Sequence, residues 1–121
     1  MQMIERLAGD LSENNKIIAV FLFGSYLNGN YKEFSDIDIC IIGNLSEKEK
    51  KEILRNLPEK FDISFFDELP VWIKMRALKG KCLLLKDKEK LHSIAMNTIH
   101  EYNDFLPLIK RGIERRFGIC T

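Results

Sequence analysis

The sequence has no marked excess of charge of either sign, and it has few cysteines. Its 19 basic and 18 acidic side chains leave a net charge of +1, which argues against direct nucleic-acid binding over a broad surface. Its three cysteines, Cys40, Cys82 and Cys120, are odd in number and form no C-x-x-C pair. Cys40 and Cys82 lie in apolar runs, so we expect them to be reduced, buried thiols of an intracellular protein.

Long apolar runs, repeats and low-complexity linkers are also missing. No run approaches the length of a membrane span, and the charged, amphipathic residues 1–11 do not resemble a signal peptide. A length of 121 residues with 45% hydrophobic content is enough for one domain with a buried core. We therefore expect a single cytoplasmic domain over residues 1–121, with no membrane association.

Hydrophobic periodicity predicts alternating helices and strands. An amphipathic helix covers the first dozen residues, and the continuous apolar run Ile17–Phe23 suits a strand covered on both faces. The other predicted elements are a strand at 36–42, a helix opened by a capping box at 46–49, a strand at 61–66, a helix from 70 to 80, a strand at 82–85 and a long helical segment at about 88–117. This layout predicts an α/β (α+β) fold with a mixed sheet of about four strands flanked by helices.

Two details of the predicted helices can be checked. Trp72 and Met75 lie at helical spacing, which predicts that they are core residues; the alternative is that they line a pocket for a nucleotide base. Pro107 lies within the C-terminal helical segment, and we expect it to kink or divide that segment.

Two aspartates occupy alternate positions of the second predicted strand. Residues i and i+2 of a strand stand on one face about 6.6–6.8 Å apart, so Asp36 and Asp38 point the same way while Ile37 and Ile39 point into the opposite layer. Neighbouring carboxylates on an apolar strand repel each other and lose hydration. Mg²⁺ relieves both costs and prefers such oxygen ligands, completing its octahedron with phosphates and water.

A third acid, Asp62, alternates with Phe61 and Ile63 in the third predicted strand. If the second and third strands are neighbours, Asp62 reaches the face that carries Asp36 and Asp38. Three carboxylates could hold two metal ions roughly 3.5–4 Å apart, which suits an in-line displacement at phosphorus. The alternative is that Asp36 caps a turn or helix and Asp38 is an exposed strand residue.

A tight turn at Gly24-Ser25 directly follows the first apolar strand. Backbone N–H groups of such a turn can form an anion-binding nest, and glycine permits close approach of a phosphate. A lone Gly-Ser pair is usually a surface turn, so its interpretation as a phosphate cradle depends on its spacing to Asp36.

Taken together, Gly24-Ser25, the ten intervening residues and Asp36-Ile37-Asp38 resemble the signature of the polymerase-β-like nucleotidyltransferase superfamily. The short chain resembles its minimal nucleotidyltransferase (MNT) branch, and Asp62 matches the family's third catalytic carboxylate. The resemblance implies ATP as substrate, two Mg²⁺ ions, and transfer of AMP to a hydroxyl. It also implies a HEPN-type toxin partner whose tyrosine accepts the AMP, so that this chain acts as the antitoxin.

One departure from the family pattern keeps other functions open. Many members carry a basic residue soon after Gly-Ser, whereas this loop has none before Lys32; Lys32 or a more distant lysine could substitute. A non-catalytic antitoxin that neutralises its partner by occlusion is therefore the first alternative. A transferase acting on small molecules is the second, and it would need an acceptor surface from a partner or a homo-oligomer.

Overall fold

Four strands form one sheet in the order β3-β2-β1-β4. The computed structural model describes residues 2–23, 37–58 and 60–117, with side chains described for residues 4–105 of these ranges. The strands are β1 (Ile17–Phe23), β2 (Ile37–Gly43), β3 (Phe61–Phe65) and β4 (Lys81–Leu85). β1 pairs antiparallel with β2 and β4, and β2 pairs parallel with β3. The predicted mixed four-stranded sheet is confirmed.

The helices are α1 (Gln2–Ser12), α2 (Glu47–Asn56), α3 (Val71–Leu78) and α4 (Lys88–Phe117), and a 3-10 turn follows β3 at Phe66–Glu68. Pro107 does not divide the last helix, because α4 runs through that position without a break; the other expected effect, a kink at Pro107, stays a prediction. A proline inside a helix removes one backbone hydrogen bond and crowds the preceding turn, which can bend a helix without ending it. No helix in the described ranges has an apolar stretch long enough to cross a membrane.

Helices cover both faces of the sheet, which explains why β1 is apolar throughout. On one face, α1 and α2 bury the first core; its sheet residues include Val20, Leu22 and Ile39. On the other face, α3 and α4 cover a second core that includes Phe21 and Cys40. Because side chains alternate along a strand, each residue of β2 is assigned to one core or the other by its position.

A capping box starts α2, as the sequence predicts. The Ser46 hydroxyl accepts a hydrogen bond from the backbone N–H of Glu49 at 3.2 Å, and the Glu49 carboxylate accepts one from the Ser46 N–H at 3.1 Å. Lys16 donates to the same carboxylate at 2.8 Å. The hydrogen bond from Lys16, supported by those from Ser46, holds the pKa of Glu49 below its usual value. These contacts tie the start of α2 to the start of β1.

Lys50 joins α2 to the residues just after β3. Among the lysine side chains that the structure describes, only Lys50 is buried. Its ammonium lies 3.0 Å from Asp67 and 3.4 Å from Glu68, and it stands 5.4 Å from the centre of the Phe65 ring. The hydrogen bond to Asp67 is the main reason that the pKa of Lys50 is raised. A buried ammonium is tolerated when carboxylates and an aromatic ring surround it, so this cluster holds α2 beside β3.

Two expected core residues are instead exposed. Trp72 is 47% exposed, because its ring stacks on Phe105 of α4 at a centroid distance of 5.3 Å and does not enter the sheet core. Cys82 is exposed, whereas Cys40 is buried as expected. β4 is an edge strand, so its side chains are less enclosed than those of β2.

Two glycine substitutions should have opposite effects on stability. An added Cβ at Gly80 would lie 2.2 Å from the backbone oxygen of Leu22, whereas one at Gly9 would meet nothing within 4 Å. We expect Gly80→Ala to lower the free energy of unfolding by about 1–3 kcal/mol through overpacking. Gly9→Ala, within α1, should raise it by about 0.5–1 kcal/mol. Urea titration of both variants checks this; a neutral Gly80→Ala would contradict the close approach of these two segments.

The two described thiols should differ in reactivity. Burial, assisted by the charge of Asp67, raises the pKa of Cys40 to about 12. Since the thiolate is the nucleophile, Cys40 stays protonated and unreactive below that pH, while the exposed Cys82 is accessible. We expect iodoacetamide at pH 8 to modify Cys82 in the folded protein and Cys40 only after unfolding. Peptide mapping distinguishes both from Cys120; equal rates at Cys40 and Cys82 would contradict the prediction.

Candidate active site

Three strand ends meet at one edge of the sheet. β1 ends at Phe23, β2 begins in the described structure at Ile37, and β3 begins at Phe61. Because β2 runs antiparallel to β1 and parallel to β3, the carboxyl end of β1 lies beside the amino ends of the other two. We call this the acid edge, because Asp38 and Asp62 both lie on it.

The register of the parallel pair puts these two aspartates side by side. Asp38 of β2 is directly paired with Asp62 of β3, and Ile37 is paired with Phe61. Neighbouring strands lie about 4.7–4.9 Å apart, and paired residues share a face of the sheet. The condition on which the placement of Asp62 depended, that the second and third strands are neighbours, is met, and the two aspartates are directly paired.

The face on which the aspartates emerge follows from their neighbours. Ile37 and Ile39 belong to the core under α1 and α2, as their alternation with Asp38 predicts. Cys40, two residues beyond Asp38, is buried in the core under α3 and α4. Asp38 therefore points to the face of the sheet that α3 and α4 cover, and the next residue of β2 on that face, Cys40, is buried in their core. Asp38 is half-buried and Asp62 is exposed, so the pair faces outward.

Phe23 brings the end of β1 to the same place. It is the last residue of β1 and is paired with Asp38 in the antiparallel ladder. Gly24 is the next residue along the chain, so the segment predicted to bind phosphate follows a strand end that is paired with Asp38. Gly24, Ser25 and Asp36 themselves lie outside the described residues, and their roles stay predictions.

The donor set at the acid edge fits a hard divalent cation. Mg²⁺ prefers carboxylate oxygens, with phosphates and water as its other ligands. Asp38 and Asp62 supply two carboxylates on adjacent strands, and the third predicted acid precedes Ile37 in the chain. Within the described ranges no group of three potential metal-ligating side chains comes together. The observed part of the site is therefore a carboxylate pair.

Sequence reasoning overlooked one charged residue at this edge, Lys60. Its carbonyl oxygen accepts a hydrogen bond from the N–H of Ile37 at 3.1 Å, which is the hydrogen bond that pairs Ile37 with Phe61 in the parallel ladder. Both Asp38 and Lys60 have interaction partners in the structure, so neither charge is isolated. Lys60 lies in a turn, in which the N–H of Phe61 donates to the carbonyl oxygen of Pro58 at 3.2 Å, so its position depends on that turn and not on strand alternation.

Comparison with known proteins agrees with this arrangement. A family model described as a nucleotidyltransferase domain matches residues 4–99. A protein of Methanocaldococcus jannaschii, named as a candidate protein adenylyltransferase, is 39% identical over 77 residues, which span 64% of this chain and 62% of that protein. The match thus covers less than two thirds of the relative's length.

Two solved structures share the fold. A toxin–antitoxin crystal structure with AMP-PNP superposes with a TM-score of 0.73 at 21% identity, covering 94% of this chain and 95% of that one. The MNT antitoxin complex with the tri-AMPylated HEPN toxin of Shewanella oneidensis gives a TM-score of 0.70 at 20% identity, covering 94% and 96%. At these identities the likeness shows the fold alone. The family model covers well over half of the sequence, and this chain therefore belongs to the nucleotidyltransferase domain family.

Proposed function

We propose that this chain is a Mg²⁺-dependent nucleotidyltransferase that transfers AMP from ATP to a tyrosine hydroxyl of a HEPN-type toxin partner, and so acts as its antitoxin. The observation that carries the proposal is the direct pairing of Asp38 with Asp62 at the acid edge, in a member of the nucleotidyltransferase domain family.

ATP is the proposed donor. Gly24 and Ser25 follow the end of β1, which lies beside Asp38, and backbone N–H groups there would cradle the triphosphate. A structural neighbour in complex with AMP-PNP supports an adenine nucleotide as the ligand. Because the end of β1 is paired with Asp38, a triphosphate bound just after β1 would have its α-phosphate close to the carboxylates.

Asp36, Asp38 and Asp62 are the proposed ligands of two Mg²⁺ ions. Bound there, Mg²⁺ supplies positive charge that offsets the phosphates and the carboxylates. Asp38, half-buried against the sheet core, provides a fixed carboxylate on the nucleotide side. Asp62, exposed on the neighbouring strand, provides one on the side from which the acceptor approaches.

The chemical step is an in-line displacement. The acceptor oxygen forms a bond to the α-phosphorus, and the bond between that phosphorus and the oxygen bridging to the β-phosphate breaks. Pyrophosphate leaves with the bonding electron pair, and the hydroxyl proton passes to the Asp62 carboxylate. Asp62 thus acts as the general base within hydrogen-bond reach of the acceptor.

The proposed partner follows from the relatives. The Methanocaldococcus relative is named for adenylyl transfer to protein. The Shewanella complex joins an MNT antitoxin to an AMPylated HEPN toxin, and this chain matches nearly the whole length of one chain of that complex. These descriptions support a protein acceptor of the HEPN type over a small molecule.

Removing either carboxylate should abolish transfer and leave the fold intact. We expect Asp38→Asn and Asp62→Asn each to lower the transfer rate at least about 100-fold, since several kcal/mol of charge stabilisation are lost. Asp36→Asn should do the same. The assay incubates the chain and its HEPN-type partner with Mg²⁺ and ATP and follows AMP addition by intact mass, with thermal unfolding as the check on folding.

Asp10→Asn is the matched control, because Asp10 is an exposed carboxylate on α1, which covers the opposite face of the sheet. It should transfer AMP like the wild type. Retained transfer in both Asp38→Asn and Asp62→Asn would refute the catalytic role of the acid edge. A stable complex without any mass change would instead support occlusion, if the variant that lacks all three of Asp36, Asp38 and Asp62 still neutralises the toxin fully.

A further inference from the structure

The end of α3 lies beside the end of β1, at the same end of the sheet as the acid edge. Lys79 is the C-cap residue of α3, and β4 begins two residues later at Lys81. Lys81 is paired with Leu22 of β1, and a Cβ added at Gly80 would collide with the backbone oxygen of Leu22. Lys79 and Lys81 therefore flank a glycine in close contact with Leu22, which precedes the predicted phosphate cradle by two residues.

Lys79 follows α3 on the face of the sheet from which Asp38 emerges. Leu78, the residue before it, and Phe23, the last residue of β1, both pack against the core under α3 and α4. Phe23 is directly paired with Asp38, and paired residues share a face of the sheet. The end of α3 therefore lies on the β1 and β4 side of Asp38, and two strand spacings, about 9.6 Å, separate β2 from β4.

The charge of Lys79 is available to an anion. Its side chain is exposed, and none of the ion pairs among the described side chains includes it. A lysine ammonium is a compact charge on a flexible four-carbon stem and is a common ligand of phosphate. The segment after Gly24-Ser25 has no basic residue before Lys32, so an exposed cation from another element can supply the charge that this segment lacks.

The in-line displacement sets the direction in which the leaving group lies. The attacking and leaving oxygens stand on opposite sides of the transferred phosphorus. β3 carries Asp62, the proposed base, and among the described residues no strand pairs with the outer side of β3, so the acceptor arrives over β3. The pyrophosphate then extends from Asp38 toward β1 and β4, the side on which α3 ends at Lys79.

The geometry points to Lys79 as a nucleotide-binding residue: its ammonium contacts the β- and γ-phosphates of ATP and replaces the basic residue that the segment after Gly24-Ser25 lacks. This inference rests on the function proposed above. Lys79 keeps its proton throughout, and the bonds formed and broken at the α-phosphorus are those already described. Its contribution is electrostatic, so an arginine at the same position should replace it.

Lys81 offers a matched comparison two residues away. It has the same charge and is likewise exposed, but it is paired with Leu22, whose side chain lies in the core under α1 and α2. Lys81 also borders a groove with Ile4 and Ala8 of α1, so it lies on the face opposite to Asp38. Its removal changes the surface charge by the same amount without removing a phosphate contact.

The experiment compares wild type, Lys79→Met, Lys79→Arg and Lys81→Met. The dissociation constant of ATP with Mg²⁺ is measured by calorimetry on the full chain, and initial rates of AMP transfer are measured with the co-purified HEPN-type partner. We expect Lys79→Met to weaken ATP binding and to raise the KM for ATP by about 10-fold each, as loss of one charge-assisted hydrogen bond does. The KM for the acceptor should stay within about twofold, Lys79→Arg should recover most of the loss, and Lys81→Met should match wild type.

Three results would overturn the inference. Wild-type affinity for ATP in Lys79→Met would remove Lys79 from the nucleotide site. An equal loss in Lys81→Met would indicate a general effect of surface charge. A loss of ATP affinity that accompanies a lower unfolding temperature, and that Lys79→Arg does not restore, would assign Lys79 to the stability of the α3 end.

Failure of the proposed function gives different results. ATP binding that depends on Lys79, without AMP transfer to the partner, would support the nucleotide site and refute the proposed reaction. Absence of ATP binding by the wild type would refute both.

Discussion

The parallel pairing of β2 with β3 is the constraint on which the rest of the molecule depends. Parallel neighbours cannot be joined by a tight turn, so the chain must cross the sheet through α2. The capping box at Ser46 and the buried ammonium of Lys50 both lie at the start of α2, and Lys50 ties it to Asp67, just after β3. They help to hold the register in which Asp38 faces Asp62. A slip of one residue would turn Asp62 to the other face.

The same register brings two like charges together, and the sheet edge makes this tolerable. In the middle of β2 a carboxylate would lose its hydration, and nearby residues such as Cys40 are fully buried. At the edge, Asp38 is half-buried and Asp62 is exposed, so water screens their repulsion until a cation binds. The site therefore lies at the boundary of the core: the residues that follow Asp38 along β2 are buried, whereas Asp62 is exposed to solvent.

Short sequence patterns predicted the strands that are covered on both faces of the sheet and the helix that begins with a capping box. The apolar run of β1, the alternation of Asp38 with Ile37 and Ile39, and the capping box are all confirmed, because each depends on neighbours within a few residues. Trp72 and Cys82 were wrongly expected in the core, since their exposure depends on how α4 and β4 meet the sheet. Gly24, Ser25 and Asp36 remain predictions from spacing.

The strand order also gives the proposed reaction a direction. A nucleotide held after β1 and an acceptor arriving over β3 approach Asp38 and Asp62 from opposite sides, which is the arrangement that an in-line displacement needs. The family signature lies in β1, β2 and the segment between them, whereas the acceptor side belongs to β3, which the α2 crossover brings into place. Variation along α2 and β3 could therefore change the acceptor while the nucleotide side stays the same. On this view Asp38 belongs to the nucleotide side of the site, and Asp62 belongs to the strand over which the acceptor arrives.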